Sequence, residues 1–158
     1  MKNNREKIRV SLSVLYLPYY DKLCEALGPM WQPYNGLRSM ELQATLYATG
    51  RTRSGKIVTN ARPGESPHNY GMATDWAPTH NGQPFWPNAS DPLWLDYGKA
   101  VKDVGLKWGG NFTKFIDCPH NELQITGPWA KLQPVFDQGG LSAVEKFVVE
   151  RCLKSSEP

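Results

Sequence analysis

At 158 residues, 40% hydrophobic and 21% charged, the chain suits one domain with its own core and lacks the composition of a disordered protein. A net charge of +3 with scattered lysines and arginines excludes the concentrated basic face of a nucleic-acid binder, and no apolar stretch is long enough to insert into a membrane. Cys24, Cys118 and Cys152 are far apart and odd in number, so no disulfide framework is implied and synthesis in a reducing cytosol is the simpler reading.

Residues 1–9 are polar and expected to fray. The run from Val10 to Leu17 imitates the core of a signal peptide, but Pro18 ends it early and no small-residue cleavage site follows, so it is expected to be the first structural element of the mature protein. The spacing of Leu23, Ala26 and Leu27 predicts a helix over residues 19–27, stopped by Gly28-Pro29. Residues 31–37 suit a strand. Ser39 caps a helix over residues 40–49, with Leu42, Leu46 and Tyr47 on one side and Gly50 closing it in the left-handed conformation. Residues 51–64 are basic and rich in turn signals, a loop or loose hairpin.

Residues 72–77 read as a buried strand whose alternation puts Ala73, Asp75 and Ala77 on one face, with small neighbours leaving space beside the carboxylate. His80 follows in a turn-rich setting and is expected to be solvated. Asp91-Pro92 starts a helix whose buried side is drawn from Leu93, Leu95, Tyr97, Ala100, Val101 and Val104, ending at Gly105. A short strand over residues 106–108, a Gly109-Gly110-Asn111 turn, a strand over residues 122–126 and an amphipathic helix over residues 141–153 complete the chain. Helices around a few short strands make the fold class α+β, a small antiparallel sheet packed with helices. No repeat, low-complexity tract or linker appears, so residues 1–158 are expected to form a single domain without a separate wall-binding module.

Two knots carry chemistry. The first, residues 66–75, holds His68 and Asp75; the second, residues 117–120, holds Asp117 and His120. Two neutral imidazoles and one carboxylate are the ligands of a catalytic zinc whose remaining position stays open to water, and a further carboxylate would be free to act as a base. Taken singly, each residue has a plainer role: a loop histidine, a capping aspartate, an aspartate closing its own turn. The zinc signature of two histidines one helical turn apart around a glutamate is missing, so spacing alone does not decide.

Ser66-x-His68-x-x-Gly71-x-Ala73-x-Asp75, Trp108-Gly109-Gly110 and Asp117-x-Pro119-His120-x-Glu122 together resemble the LAS metallopeptidases, and more narrowly the L-alanyl-D-glutamate peptidases of phage endolysins, relatives of the D-Ala-D-Ala carboxypeptidases. Gly36-Leu37-Arg38-Ser39-x-x-x-Gln43 and Leu46-Tyr47-Ala48-x-Gly50-Arg51-Thr52 match the same group, so the blocks run from Gly36 to Glu122. The resemblance implies a fold like that of hedgehog domains and D-Ala-D-Ala peptidases, Zn2+ held by His68, Asp75 and His120, and Asp117 as catalytic base. Arg38 falls on a family arginine associated with the substrate carbonyl; a structural ion pair is its plainer role. Ser66 is placed to bind substrate or to shape its turn, Gln43 to line the cleft or to sit solvated on its helix, and Trp108 to pack in the core. Cys118 stands where the family often has a bulky residue and is expected to be a small buried residue in a tight turn.

The implied activity is a zinc-dependent peptidoglycan hydrolase cutting the L-alanyl-D-glutamate amide of the stem peptide. It would be a monomer made in a host cytoplasm without a signal peptide and acting on the cell wall after release. The alternatives are a D-Ala-D-Ala carboxypeptidase or dipeptidase, and a non-catalytic zinc-bearing domain of the hedgehog type. The retained Asp117 speaks against the latter, since a pure binder has no use for a base.

Overall fold

The computed structural model describes residues 4–153. Five helices surround a five-stranded antiparallel sheet, so the α+β architecture expected from the sequence is present. In chain order the elements are α1 (Asn4–Arg9), α2 (Leu17–Ala26), β1 (Trp31–Asn35), α3 (Met40–Ala48), β2 (Ala73–His80), β3 (Gln83–Pro84), α4 (Pro92–Asp103), β4 (Lys107–Trp108), β5 (His120–Glu122) and α5 (Gln133–Arg151). The sheet order is β1-β2-β5-β4, with β3 forming a hairpin on the far end of β2.

The strongest local signals act as expected. Ser39 accepts a hydrogen bond from the Leu42 amide at the start of α3, and Asp91 does the same for Leu93 at the start of α4. Gly50 follows α3 with φ of 78°. The core lies between the sheet and α2, α4 and the second half of α5, and it is aromatic: Tyr16, Tyr20, Trp76, Trp94 and Tyr97 are all buried. Trp31 stacks on Tyr97 at 4.9 Å between ring centres. Trp108 joins this core as expected, its indole N–H donating to the Cys118 carbonyl at 2.8 Å.

Several expectations need correction. Among residues 1–9, the first three lie outside the described residues, while residues 4–9 form helix α1 instead of fraying. Arg5 explains this, because its guanidinium donates to the carbonyls of Cys24, Gly28 and Trp31, gathering the open C-terminal end of α2. Residues 10–17 are not one apolar element: Val10 and Val14 are exposed, and Leu12 and Tyr16 reach the core. In α4 the buried face contains Trp94, not Leu95, which is two-thirds exposed. The last strand begins at His120 and ends at Glu122, so the expected strand over residues 122–126 is shifted towards the second knot. Helix α5 begins well before Leu141, with a break at Gly140, whose φ of 65° and ψ of −159° are open to glycine. Its second half buries Val144 and Val148, and Cys152 just beyond its end is buried too, in keeping with an amphipathic helix. Among the described residues, no helix is long and apolar enough to cross a membrane.

Candidate metal centre

Strand register assembles the site. On β2, Asp75 lies opposite Asn35 of β1 on one side and His120 of β5 on the other. Directly paired residues of neighbouring strands project on the same face, so Asn35, Asp75 and His120 form one row. Two residues along, Ala73, Glu122 and Lys107 form the next row. His68 enters from outside the sheet, on a 3-10 turn over Pro67–Tyr70 that Ser66 caps through its hydroxyl. Gly71 ends this turn with φ of 66°, packed so closely on the backbone of residues 11–13 that a side chain would have no room.

The structure brings His68, Asp75 and His120 together. Oδ1 of Asp75 lies 3.2 Å from Nε2 of His68 and 3.1 Å from Nδ1 of His120, and the two nitrogens are 3.2 Å apart. Donors each about 2.0–2.1 Å from one tetrahedral zinc lie roughly 3.3 Å from one another. The outer hydrogen bonds set the ring tautomers. Nδ1–H of His68 donates to the Gly36 carbonyl at 2.8 Å, and Nε2–H of His120 donates to Glu122 at 3.0 Å. With both rings neutral, the remaining nitrogens turn lone pairs towards the same point, beside a carboxylate oxygen, an arrangement made favourable by a metal ion between them or, in its absence, by a proton. The donor set fits zinc: two imidazoles and one carboxylate, with the fourth side facing the cleft.

The charges agree. Burial would raise Asp75, but the adjoining histidines hold its carboxyl well below the ordinary carboxylate range. Burial likewise opposes a charge on His120, yet its hydrogen bonds to Asp75 and Glu122, and their negative charge, raise it to about 10. A metal must therefore displace a proton from the trio. Zinc uptake is expected to release a proton, with affinity rising roughly tenfold per pH unit between about pH 7 and pH 9. Calorimetry in buffers of different ionisation enthalpy measures the release, and uptake without any would contradict this electrostatic picture.

The trio lines a cleft of about 730 Å³ together with Arg38, Ser66 and Asp117. Asp117 sits on the turn before β5, its backbone N–H donating to Gly109 and its carbonyl accepting from His120. A side chain at Gly109 would overlap that carbonyl, so the glycine is required by the close approach. The Asp117 carboxylate is half-buried and accepts no hydrogen bond from another described side chain. Burial, and then the charge of Asp75, push it above its ordinary value. Arg38 lies 3.6 Å from Oδ2 of Asp75, which Asn35 also holds at 3.0 Å.

Gln43 is placed differently from either sequence reading: fully buried, it neither lines the cleft nor faces solvent. Its side-chain oxygen accepts from Arg38 at 3.0 Å and its amide donates to the Ala61 carbonyl, tying the arginine to the loop over residues 51–64. Leu42, which shares one side of α3 with Leu46, is half exposed and lines the cleft with it. His80 is exposed and outside the site. Cys118 is buried, its thiol raised by that burial. The sequence assigns no site role to Asn35, Lys107 or the Gly36 carbonyl, and places Glu122 in a family motif and at the start of a strand without a role of its own. The signal for Glu122 was present: two residues after His120 on an extended segment means the same face.

Residues 59–123, which carry the trio and Asp117, match the family model described as D-alanyl-D-alanine carboxypeptidase. The chain is 42% identical over 95 residues to the peptidoglycan L-alanyl-D-glutamate endopeptidase CwlK of Bacillus subtilis (strain 168), an overlap of 56% of this chain and 57% of that protein. The chain thus spans little more than half the length of that relative. Among solved structures, the L-Ala D-Glu endopeptidase ChiX of Serratia marcescens superposes with a TM-score of 0.51 at 18% identity, covering 78% of this chain and 88% of that one. The vancomycin resistance D,D-dipeptidase VanXYg gives a TM-score of 0.54 at 18% identity, covering 87% of this chain and 59% of the other. The fold is therefore of the D-Ala-D-Ala-peptidase type, as the motif resemblance implied.

Proposed function

We propose that this chain, related to the D-alanyl-D-alanine carboxypeptidase family across the segment bearing its trio, is a zinc-dependent peptidoglycan hydrolase that cleaves the L-alanyl-D-glutamate amide of the stem peptide. The observation that carries this reading is the juxtaposition of three inward-facing donors with a carboxylate on the same cleft that accepts no hydrogen bond from another described side chain. His68, Asp75 and His120 would hold the ion. When bound, zinc supplies positive charge that polarises a carbonyl and makes water more acidic at neutral pH.

The rest falls to side chains. Asp117 accepts a proton from the attacking water and returns it to the departing amine, the service a carboxylate with a raised proton affinity can give. Arg38, anchored by Gln43, presents positive charge to the cleft where the carbonyl oxygen becomes negative. Ser66 shapes the turn that carries His68. The choice of bond is supported by the name of the relative at 42% identity. The motif blocks shared with phage endolysins support a lytic role in which the enzyme reaches the wall from an infected cell. One hydrophobic cluster from Leu12 to Cys152 supports a single catalytic domain across the described residues.

Digestion of purified peptidoglycan tests the proposal. The zinc-loaded protein should generate fragments with a new amino terminus on D-glutamate, identified by mass, and chelation should abolish the reaction. Release of D-alanine instead would establish the carboxypeptidase alternative, and intact sacculi would leave a binding domain of the hedgehog type.

A further inference from the structure

Each member of the trio is held from behind, but by different means. His68 is fixed by a backbone carbonyl, that of Gly36. Asp75 is fixed by Asn35 and, at longer range, by Arg38. His120 is fixed by a buried carboxylate, Glu122, whose Oε2 lies 3.0 Å from Nε2 of the ring. The other oxygen of Glu122 takes the Lys107 ammonium at 3.0 Å. Lys107 comes from β4, is half exposed on the cleft wall and lies 4.7 Å from the centre of the Phe112 ring, which itself packs against His120.

A buried carboxylate is unfavourable unless it is fully partnered. The register shows why one is tolerated here. Glu122 lies between Ala73 of β2, whose methyl leaves room, and Lys107 of β4, on the face that carries His120 two residues earlier. An imidazole on a strand has two half-turn orientations and two neutral tautomers. Of these, one combination aims an Nδ1 lone pair at the trio and an Nε2–H at Glu122. The carboxylate selects that combination, because it is an acceptor only.

Resting on the reading of His68, Asp75 and His120 as one zinc site, we propose that Glu122 is a positioning residue that locks the orientation and tautomer of His120, so that zinc affinity depends on it. Lys107 holds the carboxylate from its exposed side and contributes little by itself, since half-exposed ion pairs are weak.

Zinc affinity, measured by competition with a chromogenic chelator, tests this without recourse to activity. Glu122→Leu should weaken zinc binding by about 10–100-fold. Glu122→Gln, which keeps an acceptor oxygen, should fall between Leu and the parent, and Lys107→Met should stay within about threefold of the parent. A structural ion pair alone would instead make Lys107→Met and Glu122→Leu equivalent. Parental affinity in Glu122→Leu, or equal losses in the two, overturns the assignment. Should Glu122→Leu fail to fold, Glu122→Gln carries the test. The Nε2–H proton resonance of His120 in the zinc-loaded protein must shift when a carboxylate acceptor becomes an amide, and an unchanged resonance overturns the proposal. A parent that takes up no zinc, or a His68→Ala protein that still does, removes the site reading and this inference with it.

Discussion

Asp117→Asn is expected to lower turnover by a factor of about 10²–10⁴ while leaving zinc content at the parental level. The expectation comes from what the carboxylate touches and what it does not. It faces the cleft beside the trio, yet it is not one of the three converging donors. Its backbone is fixed on both sides, by Gly109 and by the His120 amide, so the side chain starts from a rigid turn. Asparagine preserves the size and the turn while removing the capacity to take a proton. Stability should be retained. Burial raises the Asp117 carboxyl, so the folded state holds its proton more tightly than the unfolded chain does. That contribution is present at acid pH and is lost as pH rises through the raised value. The ionised group therefore costs stability at neutral pH, and the amide removes the cost. Turnover on purified peptidoglycan, zinc stoichiometry and a thermal melt give the three readouts. Parental turnover would exclude Asp117 as the base, and lost zinc would make it a ligand.

The contrast between this carboxylate and Asp75 shows how far the sequence could be read. Local chemistry was legible: Ser39 and Asp91 cap the helices they precede, because a side-chain acceptor satisfies exposed amides within a few residues. The alternation around Asp75 gave its face correctly. What brings Asp75 to His120 is the pairing register of β2 with β5, a relation between segments that no local pattern encodes. The motif resemblance supplied that relation. Helix α1 was missed because its stability comes from Arg5 reaching the end of α2, which is tertiary. In α3 Leu42 and Leu46 share a side as the spacing suggests, that of the cleft, while Gln43 is buried, since its side-chain amide can bind both Arg38 and the Ala61 carbonyl at once. A pattern that treats glutamine as solvated cannot anticipate a buried pair of partners.

The second large effect is expected on the opposite face of the same two strands. Thr74 and Asn121, the pair next to Asp75 and His120 in the register, turn into the core. There they join a closed hydrogen-bond network. Tyr16 donates to the Asn121 side-chain oxygen; the Asn121 amide donates to Tyr97 at 2.7 Å and to the Thr74 carbonyl at 3.0 Å. The Trp76 indole donates to the Thr74 hydroxyl at 2.9 Å, and Tyr97 donates to the Pro119 carbonyl at 2.9 Å. One asparagine thus ties α4 and the segment before α2 to the two strands that carry the trio. Asn121→Leu keeps the volume but removes three bonds of the network, to Tyr16, Tyr97 and the Thr74 carbonyl, while Tyr16 keeps the Thr74 hydroxyl and Tyr97 keeps the Pro119 carbonyl. The expected cost is about 3 kcal/mol, roughly 1 kcal/mol for each lost buried hydrogen bond. For a chain of 158 residues this lowers the melting temperature by roughly 6–12 °C. Tyr16→Phe, which removes one hydroxyl and leaves Asn121 its other bonds, should cost only about 1 kcal/mol. Because the network fixes Thr74 against Asn121, and the trio depends on the adjacent pair, zinc affinity should fall in Asn121→Leu more than in Tyr16→Phe. Thermal melts with zinc titrations of both variants decide the matter. If Asn121→Leu melts with the parent and binds zinc equally well, the core face of these strands has no part in holding the site.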